Sequence, residues 1–332
     1  MRESGEAGDA QGRLPAAFRA LERAGVPFTL RKGAGWLSDI PAGGEVDIWL
    51  PPETVAHADE VLTGAGFRRL GAPGAGPHRF YLAFENGRWL KIDAKIGNPS
   101  PTTAPPGPPA ATPWGRAQAH RLWAALRQRR PLSLRRLGPV VALLGPDGAG
   151  KGSILAALQS EIPIAVRVAY LGWRPRRPVD RRAEGDPRAE PDVSVLRECA
   201  FVLYQALRAW RRLLPGYLCA WRGDIVLLDR HPIEVLAIQP RRSAAARTLE
   251  RIVFERLVPR PDVMVLLDAP GAALFARKGE QTPALLEEWR QRYRQVLVPK
   301  GAVVISTEGS VEESTAEVSE IVFLALAARR RW

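Results

Sequence analysis

A chain that carries Gly145-Pro-Asp-Gly-Ala-Gly-Lys-Gly-Ser153 directly behind the apolar run Pro139–Leu144 has few ways to fold at that point. The run reads as a buried strand, the glycines as a tight turn, and Ile154–Leu158 as the start of an apolar helix. Gly145, Gly148 and Gly150 let successive backbone N–H groups face an anion, and Ala149 keeps the turn small between them. The helix that begins near Gly150 adds its positive end, and Lys151 adds a cation for the outer phosphates of a nucleotide. This is the context a phosphate-binding loop requires. The residue after the lysine, where such loops carry a hydroxyl for magnesium, is Gly152; the hydroxyl follows one place later at Ser153.

The stretches around the loop define the fold class. Asp224–His231 and Pro261–Asp268 are further continuous apolar runs, Asp192–Leu214 and Leu249–Leu257 read as helices around them, and Ala302–Ser306 is a last strand. Continuous apolar strands alternating with helices predict a parallel sheet covered on both faces. Functional groups then gather at strand C-termini, where Gly145, Asp229 and Asp268 fall.

Upstream, the order is different. Leu14–Ala24 reads as a helix stopped by Gly25, Phe28–Arg31 and Glu45–Leu50 as strands, and Pro52–Thr63 as a helix. Phe80–Phe84 and Arg88–Asp93 around Asn86-Gly87 make a hairpin. The expected organisation is a disordered leader over 1–12, a small α+β domain over 13–96 and a Pro-rich linker over 97–113. A basic amphipathic helix over 114–136 and the loop-bearing α/β domain over 137–332 follow. That helix reads as packing on the next domain with its basic side solvated, or as a membrane-surface or partner-binding segment.

Composition narrows the partners. The 332 residues carry a formal net charge of +13, and all but six of the 48 basic residues are arginine. A basic surface suits phosphorylated small molecules, acidic lipids or nucleic acid. No arginine run is interleaved with aromatics as in a nucleic-acid module, which argues against nucleic acid. Cys199 and Cys219 sit in apolar surroundings without metal-ligand spacing, and no apolar run is long enough to span a bilayer. A cytoplasmic, soluble protein is expected.

GPDGAGKGS, LLDRH, PDVMVLLDAP and RKGEQ, in this order across 139–328, resemble the thymidylate kinase family of P-loop nucleoside monophosphate kinases. The resemblance implies an ATP- and Mg²⁺-dependent phosphotransferase, with a nucleotide or other small molecule as phosphate acceptor and a homodimer as quaternary state. It implies that the loop from Asp147 to Ser153, with Lys151, holds the donor phosphates, and that Asp147 lies near the acceptor and the metal. Asp229 would hold magnesium through its water shell, with Ser153 as the nearest loop hydroxyl. Arg230 would grip the phosphoryl group in flight, and Arg277 and Lys278 would close over ATP as a lid. The acceptor side departs from the family: Leu171-Gly-Trp-Arg174 replaces an Arg-Glu-Pro-Gly-Gly segment, and Glu234-Val235 replaces a Ser-Ser pair. Arg174, Arg176 and Arg177 read either as acceptor contacts or as a disordered loop.

The N-terminal region resembles the nucleotidyltransferase fold through Glu45-x-Asp47 and a strand-borne Asp93, which would gather a magnesium ion. Gly33-Ala34 stands where that family has Gly-Ser, which favours a degenerate domain that binds or positions something. Three functions therefore stand side by side: phosphotransferase, nucleotide-binding regulatory protein, and nucleotidyltransferase acting through the N-terminal domain.

Overall fold

The computed structural model describes residues 12–30, 44–70, 78–97, 138–171, 194–238, 243–279 and 281–329. The expected leader, apart from Gly12, the Gly33-Ala34 turn, the linker beyond Gly97, the basic helix and Arg174, Arg176 and Arg177 lie outside these residues. Two five-stranded sheets organise the rest.

The first sheet has helix α1 (Arg13–Arg23) and strands β1 (Thr29–Leu30) and β2 (Gly44–Leu50). Helix α2 (Val55–Gly64) and strands β3 (Arg68–Leu70), β4 (His78–Glu85) and β5 (Arg88–Ile96) complete it. Their order is β1-β2-β5-β4-β3, with β2 and β5 parallel and the other pairs antiparallel. Asn86 and Gly87 take φ of 51° and 74°, the left-handed pair that a two-residue hairpin needs. Alternation along the strands gives the sheet two apolar faces. Ile48, Leu50, Tyr81, Ala83 and Ile92 pack with Leu14, Phe18 and Leu62 of the two helices. On the reverse, Leu70, Leu82 and Trp89 join the core of the second sheet.

The second sheet is all parallel, with strands β6 (Val140–Leu144), β7 (Val166–Tyr170), β8 (Ile225–Asp229), β9 (Val263–Asp268) and β10 (Ala302–Ser306). The order is β10-β9-β6-β8-β7. From β6 the chain goes to the edge strand β7, returns to β8 beside β6 and then crosses to β9 on the other side, so the crevice at the C-terminal end of β6 is a topological switch point. Helices α3 (Lys151–Glu161) and α4 (Val195–Trp221) are followed by α5 (Ala244–Ile252). Then come α6 (Gly271–Lys278), α7 (Pro283–Leu297) and α8 (Val311–Arg329). Ile154, Leu158, Val318 and Val322 of α3 and α8 cover one face. Val202, Ala209, Leu213, Tyr293 and Leu297 of α4 and α7 cover the other.

Two elements depart from the sequence reading. Helix α4 does not stop at Leu214 but runs through Pro215 to Trp221. Past Pro215 the helix lies close on β8: a Cβ on Gly216 would stand 3.3 Å from Val226 Cγ1, tighter than an ordinary contact. The helix expected over Leu249–Leu257 begins at Ala244, with Ser243 accepting the Ala246 N–H at 3.2 Å, and ends in a π turn over Val253–Leu257. Among the described residues no helix is long and apolar enough to cross a membrane.

Candidate functional site

Strand β6 is wholly buried and delivers the glycine loop into the switch-point crevice. Gly145, Gly148 and Gly150 have φ of 138°, 87° and 82°, values that favour glycine. A Cβ on Gly145 would stand 2.6 Å from the Leu267 carbonyl oxygen, and one on Gly148 would stand 2.6 Å from that of Leu274. The loop is thus pressed against β9 and α6, with buried Ala149 filling the space beneath it. Gly152 is different. Its φ is not positive and an added Cβ would meet nothing within 4 Å.

The charged groups converge on this loop. Lys151 is buried and donates from Nζ to the carbonyl oxygens of Gly145 at 2.9 Å and Pro146 at 2.7 Å. Burial, helped by neighbouring Arg230, pushes its pKa down to about 8, while Glu234, Asp147 and Asp229 pull the other way. Arg230 follows β8 with a left-handed φ of 74° and its N–H on the Leu143 carbonyl at 3.0 Å. Its Nη2 meets Asp147 Oδ1 at 2.5 Å and its Nη1 meets Glu234 Oε2 at 3.3 Å. Burial opposes the guanidinium charge, but Glu234, Tyr293 and Asp147 more than offset it. Asp229 ends β8 beside the loop, in register with Leu143, and its burial raises its pKa against the nearby Lys151 and Arg230.

Glu234 was not singled out as a functional residue from the sequence. Its carboxylate is completely buried and accepts the Gly145 N–H at 3.2 Å as well as the Arg230 guanidinium. Burial raises its pKa. The signal was present as an acid four residues after an arginine at a strand end, in place of the family's serine. His231, by contrast, is structural: Nδ1 accepts the Ile233 N–H at 3.2 Å and Nε2 meets the Pro259 carbonyl at 3.0 Å.

The two residues expected to form a lid part company. Lys278 Nζ lies 3.8 Å from Asp147 Oδ1, above the loop. Arg277 turns to Thr307, with Nη2 on its carbonyl oxygen at 2.5 Å. Asp268 is held by Arg290 in two-pronged fashion, at 2.8 and 2.9 Å, and by Arg294 at 2.8 Å. It braces β9 against α7.

The magnesium-ligand set can be tested on the loop. A cleft of about 470 Å³ touches Gly152 and Asp229, whereas Ser153 is exposed and does not line it. Asp229 can therefore hold the ion through water, and the loop side chain at Gly152 contributes nothing. In the N-terminal sheet the parallel register sets Asp47 opposite Asp93, and carboxylate oxygens of Glu45, Asp47 and Asp93 lie within 4.8 Å of one another. Lys91 Nζ already binds Glu45 at 2.6 Å and His78 Nδ1 meets Asp93 at 2.9 Å. A cation arriving there meets two carboxylates already engaged, Glu45 by Lys91 and Asp93 by His78.

No family model matches the chain. Over 201 residues it is 27% identical to a thymidylate kinase of Xanthomonas oryzae pv. oryzae, covering 58% of this chain and 86% of that one. It is 28% identical over 156 residues to the hemin import ATP-binding protein HmuV of Streptomyces coelicolor, or 46% of this chain and 56% of that one. It is 31% identical over 160 residues to the cytochrome c biogenesis ATP-binding export protein CcmA 2 of Cupriavidus metallidurans, or 47% and 72%. Taken with the glycine loop at the switch point of a parallel sheet, these likenesses place the chain, through its C-terminal segment, among the P-loop NTPases.

Proposed function

We propose that this chain is an ATP- and Mg²⁺-dependent phosphotransferase of thymidylate kinase type, acting on a small-molecule acceptor. The observation that carries the reading is Arg230. It is fixed on buried Glu234 and extends to Asp147 at 2.5 Å across the mouth of the phosphate loop. Phosphoryl transfer asks for alignment and for neutralisation of the moving charge, which a poised guanidinium supplies. The loop amides and Lys151 would hold the β- and γ-phosphates. Arg230 would then turn from Asp147 to the γ-phosphoryl group, with Lys278 screening the loop from above. Magnesium, when bound with the nucleotide, would neutralise phosphate charge, and Asp229 would hold it through water. In the transfer a bond forms from the acceptor oxygen to the γ-phosphorus and the bond to the bridging oxygen breaks, releasing ADP.

Gly152 favours a second reading, a regulatory protein that binds ATP without transferring it. The converging Glu45, Asp47 and Asp93 favour a third, nucleotidyl transfer in the N-terminal domain. One experiment separates them: purified full-length protein with MgATP and a panel of nucleotides, nucleosides, sugars and alcohols, read by mass. A gain of one phosphoryl group, lost with Lys151→Ala, supports the first. ATP binding without product supports the second, and pyrophosphate release lost with Asp47→Asn the third. Folded protein that neither binds nor turns over ATP sinks the first two.

We infer as well that the protein works as a homodimer through α4. Leu196, Leu203, Leu207, Trp210, Leu214 and Trp221 are between 41% and 81% exposed. They repeat in steps of three, four and seven, the spacing of a helix–helix seam. At roughly 100 Å² each they offer about 600 Å², most of one partner's share of a standard interface.

A further inference from the structure

Gly152 raises a question its neighbours do not. Gly145 and Gly148 are glycine because the backbone and close packing require it, whereas Gly152 is required by neither. What it leaves is space, and that space joins Asp229 to the cleft beside α3.

The cleft has a direction. Tyr170 is in register with Asp229 on β8, so Gly152, Tyr170 and Asp229 form its upper end. From there it follows α3 past Leu155 and Ala156, with Val168 of the edge strand β7 as the opposite wall, to Gln159 and Ser160. Seven to eight residues of helix make this about 12 Å. Among the described residues no basic side chain lines it. Of the two polar residues at the far end, Ser160 already donates its hydroxyl to the Ala157 carbonyl at 2.8 Å. A nucleobase lying beside Leu155, Ala156 and Val168 would find no hydrogen-bonding partner on those side chains, and exposed Gln159 offers an amide only at the far end. An apolar chain would leave nothing unpaired.

We propose that this groove is the acceptor site and that the acceptor is an amphiphile. A hydroxyl or monophosphate head reaches Asp229 past Gly152, and an apolar body lies along Leu155, Ala156, Val168 and the Tyr170 ring. The inference rests on the phosphotransferase reading. With an alcohol head, the oxygen bonds to the γ-phosphorus, the bridging P–O bond of ATP breaks to release ADP, and the hydroxyl proton leaves to solvent water through the open cleft. With a monophosphate head the attacking oxygen carries no proton.

The test uses full-length protein, MgATP, and geraniol, geranyl monophosphate, thymidine and thymidine monophosphate as acceptors. The expected result is a phosphoryl gain on one of the geranyl compounds, which also tells the alcohol from the monophosphate source. Ala156 is exposed, so Ala156→Trp fills the groove without touching the core. It should cut kcat/KM for that acceptor at least tenfold while MgATP affinity, a check on the folded loop, stays within twofold. Transfer to thymidine or its monophosphate that Ala156→Trp does not affect would overturn the inference and leave the kinase reading standing. So would ATP binding with no geranyl product. If ATP does not bind at all, the kinase reading fails, and calorimetry with geranyl monophosphate still decides the groove. Binding that Ala156→Trp abolishes supports it, and no binding overturns it.

Discussion

Arg230 is the residue on which the site turns, and Glu234 is what holds it. A buried carboxylate facing both the first loop amide and the guanidinium ties two phosphate-binding parts to one point. Glu234→Gln should lower phosphoryl transfer at least tenfold with MgATP affinity changed much less. In an Arg230→Ala background it should cost little more, a coupling that a double-mutant cycle reads directly. Additive losses would show that Glu234 acts independently of the arginine. His231 makes a different prediction, for stability against pH. Burial pushes its pKa down to about 4, against the weaker pull of the Pro259 carbonyl. The unfolded chain therefore binds the proton first as pH falls below 6.5, and stability should drop between pH 6.5 and 4 by on the order of 3 kcal/mol. His231→Gln keeps a donor and an acceptor but does not titrate, so its urea midpoint should change less over that range. The loop, Asp229 and Arg230 were legible in the sequence because glycine spacing and a charged pair ending an apolar strand are local patterns. Glu234 was not, because its burial and its bond to Gly145 depend on a contact 89 residues away in sequence.

At the scale of elements, the loop and helix α3 form a joint whose two ends respond oppositely to a methyl group. Gly148→Ala adds a Cβ 2.6 Å from the Leu274 carbonyl at a left-handed φ. It should destabilise by about 2 kcal/mol or more, from backbone strain alone and then from the shift of α6. Gly152→Ala sits in open space within the first turn of a helix and should be neutral or stabilise by up to about 1 kcal/mol. Urea unfolding of the two variants checks both signs, and a large loss at Gly152 would contradict the open geometry. Apolar runs and Gly, Pro and Asn-Gly punctuation gave the strands and most helices their places. The continuation of α4 through Pro215 was hidden, because the packing of Gly216 on Val226 is tertiary and overrides the local signal. Alternation put Glu45 and Asp47 on one strand face and the nucleotidyltransferase resemblance added Asp93, but Lys91 and His78, which occupy two of these acids, lay outside both patterns.

For the whole molecule, the exposed stripe of α4 predicts a concentration-dependent dimer. Leu207→Glu with Leu214→Glu should give a monomer in light scattering, with its circular dichroism unchanged. A wild-type monomer at tens of micromolar would remove the dimer reading. The seam between the two sheets has a further consequence. Phe323 of α8 stacks on Phe84 at 6.2 Å and meets Trp89 edge-on at 5.7 Å, so one aromatic ring from the nucleotide-binding half is seated in the back of the N-terminal sheet. The two halves therefore share part of one melting cooperativity. Any molecule that tightens the P-loop half also stiffens its neighbour, so the N-terminal sheet becomes a thermometer for occupancy of a site it does not touch.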